Sequence, residues 1–166
     1  MPGLTASRVL AACSLATLAA VGLSLVLQHG YGMQPCVWCV VQRFLYVVFA
    51  LFAALGAWAV SGRAARIACI LAADLTAALG LAAALFHQFV AAQPGGCGIT
   101  IADKFLMATS LHEFAPWIFN PSGPCDDANA PLLGVSFALW SATMFALLSV
   151  GAVLALVLEL RERPAR

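Results

Sequence analysis

Four long apolar runs, separated by two short polar breaks and one long one, dominate the 166-residue chain. Residues 9–27 and 132–158 carry no charged side chain, and 44–60 is equally clean just after Arg43. The run 67–90 is interrupted by only two ionisable residues, Asp74 and His87. A helix crossing ~30 Å of hydrocarbon needs roughly 20 residues, so each run spans a bilayer if the second begins near Cys39. Lipid offers the backbone no hydrogen-bond partners, and the alternation of a membrane β-barrel is absent from the pattern. The pattern therefore predicts an all-α membrane protein, a four-transmembrane-helix bundle forming a single membrane domain over residues 1–166. Its spans are expected at about 9–27, 40–60, 67–90 and 132–158, with a short first outer loop at about 28–39 and a long second one at about 91–131.

Composition agrees and narrows the class. At 63% hydrophobic, 9% charged and a mean hydropathy of +0.98, the chain is no soluble globular domain. A net charge of +1 provides no basic surface for nucleic acid. The few charges are informative through their placement. Arg8 precedes the first run, Arg63 and Arg66 lie between the second and third, and Arg161, Arg163 and Arg166 follow the fourth. Only Arg43 and Lys104 fall on the other side. The positive-inside rule then puts both termini and the middle loop in the cytoplasm. The first run is expected to stay as an anchor and not be cleaved as a signal peptide, because it is long and no small-residue cleavage site follows it at 28–34.

The long outer loop has an apolar, aromatic middle, Phe114 to Phe119. This segment either lies flat at the headgroup boundary or plugs the top of the bundle. Either placement holds the loop close to the start of the second span, where Pro35 suits a first helical turn.

Topology places four cysteines on the non-cytoplasmic side, where disulfides persist. Cys36 and Cys39 form a CxxC at the top of span two; Cys97 and Cys125 lie in the long loop. Residues three apart share a helix face, so two sulfurs can make and break a bond there with little backbone motion. A helix N-terminus also stabilises a thiolate. Arg43, one turn deeper on about the same face, would stabilise a Cys39 thiolate or an anionic ligand oxygen. The bland reading of Arg43 is a side chain snorkelling to the headgroups. Zinc would want further close-spaced ligands and a c-type haem a histidine after Cys39, where Val40 stands, so no metal is expected. Three glycines around Cys97 leave the backbone slim enough to lie in a partner's groove. Asp126 and Asp127 should raise the thiol pKa of Cys125. Cys13 and Cys69, near the cytoplasmic ends of spans one and three, read as small apolar side chains. Asp74 is expected to bond Thr76 or polar groups of neighbouring spans. These residues leave three pairings of the outer cysteines open.

The run Gln34 to Arg43, QPCVWCVVQR, resembles the catalytic motif of the DsbB family, the disulfide bond formation proteins of the bacterial inner membrane. The resemblance extends to the four spans, the second cysteine pair, Ser122-Gly-Pro-Cys125 and Leu133-Gly-Val135. It implies a thiol:quinone oxidoreductase that reoxidises a DsbA-like periplasmic thioredoxin-fold protein and passes the electrons to ubiquinone or menaquinone. Both termini would be cytoplasmic and both redox loops periplasmic. Cys97 is then similar to the cysteine attacked by the partner, and Cys125 to its disulfide mate. Cys36 and Cys39 match the pair beside the quinone, with Cys39 in contact with it and Arg43 binding and polarising it. His87 resembles a histidine near the quinone, with a spacing to Cys97 that is shorter than usual. Gln42 stands where the family often has an acid. The implied electron path is Cys97 to Cys125 to Cys36 to Cys39. Two alternatives remain: a non-catalytic membrane subunit braced by static disulfides, and a vitamin K epoxide reductase-like enzyme. The latter carries its CxxC after the loop pair, whereas here it comes first.

Overall fold

The computed structural model describes residues 4–96 and 98–162. Cys97, Arg163 and Arg166 lie outside the described residues. Seven helices follow in order: α1 (Ala6–Tyr31), α2 (Val37–Ala54), α3 (Arg63–Phe86), α4 (Ile101–Thr109), α5 (Leu111–Phe114), α6 (Pro116–Phe119) and α7 (Phe137–Arg161). Helices α2 and α3 each run on into a π-helical turn, Leu55–Ala59 and His87–Ala91. With those turns, α1, α2, α3 and α7 are the four helices long and apolar enough to cross a membrane among the described residues.

Small residues build the interior of this bundle. On α3, Ala73, Ala77, Gly80 and Ala84 face inward, while Leu71, Leu75 and Leu79 are exposed on the opposite side. In lipid, leucine gains nothing by turning inward, whereas alanine and glycine let helix backbones approach closely. Helix α3 packs most extensively on α7 and then on α2. At the centre Phe145 fills the gap left by Gly80, where an added Cβ would overlap the Phe145 ring. Phe145 in turn stacks on Tyr46, with ring centroids 4.0 Å apart, and the Tyr46 hydroxyl bonds the carbonyl and hydroxyl of Ser141.

Buried polar groups find partners between helices. Ser149 Oγ donates to Asp74 Oδ1 at 2.6 Å, so the expected bond of Asp74 to a neighbouring span is made and Thr76 instead bonds its own helix. At the arginine-rich end, Arg66 pairs with the buried Glu159 at 3.2 Å and caps the carbonyls of Gly56 and Val60. Cys13 and Cys69 are half-buried packing residues: Cys13 Sγ lies against Gly151, and Cys69 Cβ against Gly56.

Boundaries differ from the hydropathy pattern at all four spans, and α1, expected over 9–27, runs from Ala6 to Tyr31. The fourth span begins at Phe137 and not near 132. Residues 131–136 form an antiparallel pair, β1 (Pro131–Leu132) and β2 (Val135–Ser136), turned at Leu133 and Gly134 with φ of 55° and 82°. Hydropathy cannot separate a short apolar hairpin from the first turn of a helix. Helix α2 begins earlier than 40, because Cys36 serves as its N-cap: the sulfur accepts the Cys39 backbone N–H. Pro35 therefore precedes the cap instead of occupying the first turn. Helix α3 begins at Arg63 instead of 67, taking both arginines into its first turns. The long outer loop is itself folded. Thr100 and Asp103 form a reciprocal capping box that starts α4.

Candidate functional site

At the end of the bundle away from Arg63 and Arg66, the start of α2 and the loop after α6 are joined backbone to backbone. The Pro35 carbonyl accepts N–H bonds from Ser122 at 2.9 Å and Gly123 at 3.2 Å. Gly123 permits the approach, since a Cβ there would sit 2.9 Å from Gln34 Cβ and 3.1 Å from the Gln34 carbonyl oxygen. The turn Ser122-Gly-Pro-Cys125 thus lies on Gln34-Pro-Cys36. Cys36 and Cys125 are both fully buried in one apolar cluster with Val40, Ala91, Leu106 and Phe119.

Cys36 Sγ and Cys39 Sγ are 3.3 Å apart, both as free thiols. Cys125 is held in a disulfide. Cys36 already accepts a backbone N–H at the N-terminus of α2, so it is the natural acceptor of the thiol pair and Cys39 the donor. The hydrogen bond from Cys39 Sγ is the main reason that the Cys36 thiol is lowered to about 5; burial opposes the shift, while His87 and the Cys39 N–H add to it. These contacts favour a thiolate at Cys36 in the reduced pair, while Arg43 stands with Cys39 on the cavity side. Asp126 and Asp127, expected to act on Cys125, are exposed while Cys125 is buried.

His87 is buried against this pair. Its Nε2 lies 3.1 Å from the Cys125 carbonyl oxygen and 3.5 Å from Cys36 Sγ. A carbonyl only accepts, so Nε2 carries the proton, and Nδ1 accepts from Gln42 Nε2 at 3.4 Å. One ring nitrogen therefore touches both the sulfur of the CxxC and the main chain of the loop cysteine. Cys36, Cys39 and His87 bring their ligating atoms within 4.8 Å of one another, spacing compatible with a metal ion as well as with a closing thiol pair.

Cys39 opens on a different space. A cavity of about 370 Å³ is bounded by α1, α2, α7 and the hairpin, with Leu23, Leu27, Leu132, Phe137, Trp140 and Met144 among its apolar walls. Cys39, Gln42, Arg43 and Tyr46 line it from α2, with the neighbours Gln42 and Arg43 about one turn from both Cys39 and Tyr46. This size suits a small organic ligand. Arg43 is buried, and its Nη1 donates to Gln28 Oε1 at 2.8 Å and to the Ile118 carbonyl. Its Nε has no partner among the described residues. A buried N–H of a cation beside an apolar cavity calls for an oxygen acceptor from a ligand. Those bonds to protein groups on two elements differ from a side chain snorkelling to water. His87 is not among the cavity walls.

The aromatic segment of the loop packs on the bundle through one of its rings. Phe119 is buried against Phe44, while Phe114 and Trp117 are largely exposed. Trp117 also stacks on His29 at the end of α1, with centroids 4.5 Å apart, and its carbonyl lies 3.0 Å from His29 Nε2. Gln28 and His29 carry no role in the sequence reading, and Gln42 enters it only as a residue standing where the family often has an acid. The one available signal was a polar pair closing an otherwise apolar run.

Four membrane-crossing helices, a thiol pair at the capped start of the second, and a folded loop seated on that pair define a membrane protein built for thiol–disulfide chemistry. The family model "Disulfide bond formation protein DsbB" matches residues 6–155, and the chain belongs to that family. It is 34% identical over 158 residues to "Disulfide bond formation protein B 1" of Pseudomonas savastanoi pv. phaseolicola, covering 95% of this chain and 92% of that one. It is 34% identical over 141 residues to the disulfide bond formation protein B of Ralstonia nicotianae, covering 82% of this chain and 85% of the relative. The Burkholderia thailandensis protein of the same name is 33% identical over 145 residues, covering 86% and 85%. No solved structure gives a significant match.

Proposed function

We propose that this DsbB-family protein is a dithiol:quinone oxidoreductase of the bacterial inner membrane. In this reading it reoxidises a DsbA-like periplasmic thioredoxin-fold protein and delivers two electrons and two protons to ubiquinone or menaquinone. The observation that carries it is the two-sided surrounding of the CxxC. Cys36 meets the loop cysteine's main chain through His87, and Cys39 meets a ligand-sized apolar cavity through Arg43.

The chemistry follows by thiolate exchange. A partner thiolate attacks Cys97 and releases Cys125, the two being the proposed resting loop disulfide. Cys125 attacks Cys36 of an oxidised Cys36–Cys39 pair, forming the interloop bond and freeing Cys39 as the sulfur that faces the cavity. A second partner thiolate releases Cys97 and leaves the partner oxidised. Arg43, through its unpartnered Nε, and Gln42 would hold an oxygen-bearing ring against Cys39 while the apolar walls exclude water. A bound quinone supplies a two-electron, two-proton acceptor. Cys97 then attacks Cys125 and releases Cys36, and Cys36 and Cys39 close to a disulfide as their two electrons and two protons pass to that acceptor, which completes the cycle.

Purified protein in lipid, given a reduced thioredoxin-fold dithiol and a soluble quinone, tests this. Quinone reduction is expected, and Cys39→Ser should abolish it. Removing a charged hydrogen-bond donor costs roughly 1.5–3 kcal/mol, so Arg43→Ala should lower kcat/KM for quinone by about ten- to a hundredfold. No quinone reduction, or a rate indifferent to Cys39→Ser, would sink the oxidoreductase reading. An Arg43→Ala protein with unchanged KM and turnover would return Arg43 to a snorkelling role.

A further inference from the structure

The loop cysteine must meet Cys36 at each turnover, yet the chain on its C-terminal side is a short polar segment with little apolar content to hold it. The Phe137 N–H holds the Ala130 carbonyl at the segment's far end, at 3.2 Å, and the side-chain fastening nearest Cys125 is made by one amide pair. The π-helical turn His87–Ala91 lets two consecutive residues face the loop: His87 reaches Cys125, and Gln88 reaches the residues that follow it. Gln88 Oε1 accepts from Asn129 Nδ2 at 3.0 Å and from Ser136 Oγ at 2.5 Å. Asn129 spends its remaining oxygen on the N-terminus of α7, accepting the Ala138 N–H at 2.9 Å. A single amide pair therefore fastens the end of α3, the segment after Cys125 and the start of α7. Between Cys125 and Asn129 the chain makes one tight turn, closed by the Ala128 N–H on the Pro124 carbonyl. On the N-terminal side, Ser122 and Gly123 are bonded to Pro35. Cys125 is thus bracketed by two fastenings a few residues away on either side.

We propose that Gln88 and Asn129 are positioning residues for the exchange between Cys125 and Cys36. They do not touch the reacting sulfurs; they act by keeping the Cys125 backbone on His87 and so within reach of Cys36. The inference rests on the thiol-relay reading above, but its test needs neither quinone nor partner. The step is a disulfide exchange in which the Cys125 thiolate bonds Cys36 as Cys39 leaves with the electron pair, and the efficiency of that step follows the effective concentration of one sulfur at the other.

The full chain is prepared in lipid with Cys13, Cys39, Cys69 and Cys97 replaced by serine, leaving Cys36 and Cys125. It is equilibrated in glutathione redox buffers, acid-quenched, and the Cys36–Cys125 disulfide is quantified to give the effective concentration. Gln88→Leu and Asn129→Asp should each lower it by about tenfold, the scale of one or two lost hydrogen bonds. Asn129→Asp keeps the acceptor for the Ala138 N–H and loses only the donor to Gln88, so α7 retains its cap. Gln88→Glu should stay within about threefold of the parent, because both bonds use the side chain's acceptor oxygen. A second series retaining Cys36 and Cys39 instead reads the CxxC pair, which these substitutions should leave unchanged. Unchanged Cys36–Cys125 values in both Gln88→Leu and Asn129→Asp overturn the proposal. So does a parallel fall in the two series, which marks a general loss of structure. Failure of quinone reduction in the assay above would remove the oxidoreductase reading and leave this measurement standing.

Discussion

Cys36 carries most of the electrostatic asymmetry of the site. It caps α2, accepts the Cys39 N–H at 3.4 Å, and sits 3.3 Å from a second thiol. The Cys39 thiol, His87 and the Cys39 N–H together lower the Cys36 thiol to about 5, which favours a thiolate there at neutral pH. In protein with the other four cysteines replaced, the thiolate ultraviolet absorbance of the reduced pair should therefore rise with a midpoint near 5. Cys39→Ala removes the main donor and should move the midpoint up toward the ordinary thiol value of ~8.5, while Cys39→Ser, which keeps a donor, should move it less. The sign for stability follows. A thiol whose folded pKa is depressed stabilises the reduced fold fully above the unfolded value. That contribution shrinks as the pH falls and is gone below about 5. A midpoint that stays put in Cys39→Ala would show that His87 and the helix terminus, and not the second thiol, set it. Part of this was legible in the chain, since CxxC spacing at a helix start already implied a stabilised thiolate. The part played by His87 was not, because it stands 51 residues from Cys36 and only the fold brings the two together.

Between helices, fit is set by residues without side chains to speak of. Gly80 faces Phe145, which is itself clamped by the Tyr46 stack and so has nowhere to retreat. Gly80→Ala should cost about 1–3 kcal/mol through overpacking and lower the melting temperature of the detergent-solubilised protein. Gly22 on α1 has nothing within 4 Å of an added Cβ, so Gly22→Ala should be neutral or raise it slightly. Equal effects at the two positions would show that helix propensity, and not the α3–α7 contact, governs. At this scale hydropathy located all four spans, because lipid forces any long apolar run into a helix. It misplaced the start of the fourth, where Pro131–Ser136 is as apolar as a helix but turns through Leu133 and Gly134. The π-helical turn at His87 also left no sequence mark, since it arises from how α3 meets the loop.

For the molecule as a whole, the two ends differ in kind. One gathers Arg8, Arg63, Arg66 and Arg161, with Arg66 anchored on Glu159 and Arg63 on the Leu160 carbonyl. The other holds the thiol pair, the cavity mouth and the folded loop, with Arg43 turned inward and Lys104 as its other basic residue. Basic residues resist translocation, so the first end should remain in the cytoplasm and the second should face the oxidising compartment, where a disulfide can persist. A reporter enzyme active only outside the cytoplasm makes this measurable. Fused after Gly62 or after the last residue it should be silent; fused after Ser110 it should be active. The reverse pattern would place the thiols in a reducing compartment and leave the loop disulfide without an oxidant-side role. Reversing the charge bias offers the complementary check. Replacing Arg63 and Arg66 with serine removes two of the six residues holding that end, and should give mixed reporter activity after Gly62 if charge, and not helix packing, decides the orientation. Orientation is thereby tied to chemistry: the same few arginines that set which way the bundle inserts decide whether Cys36 and Cys125 meet an oxidising or a reducing pool.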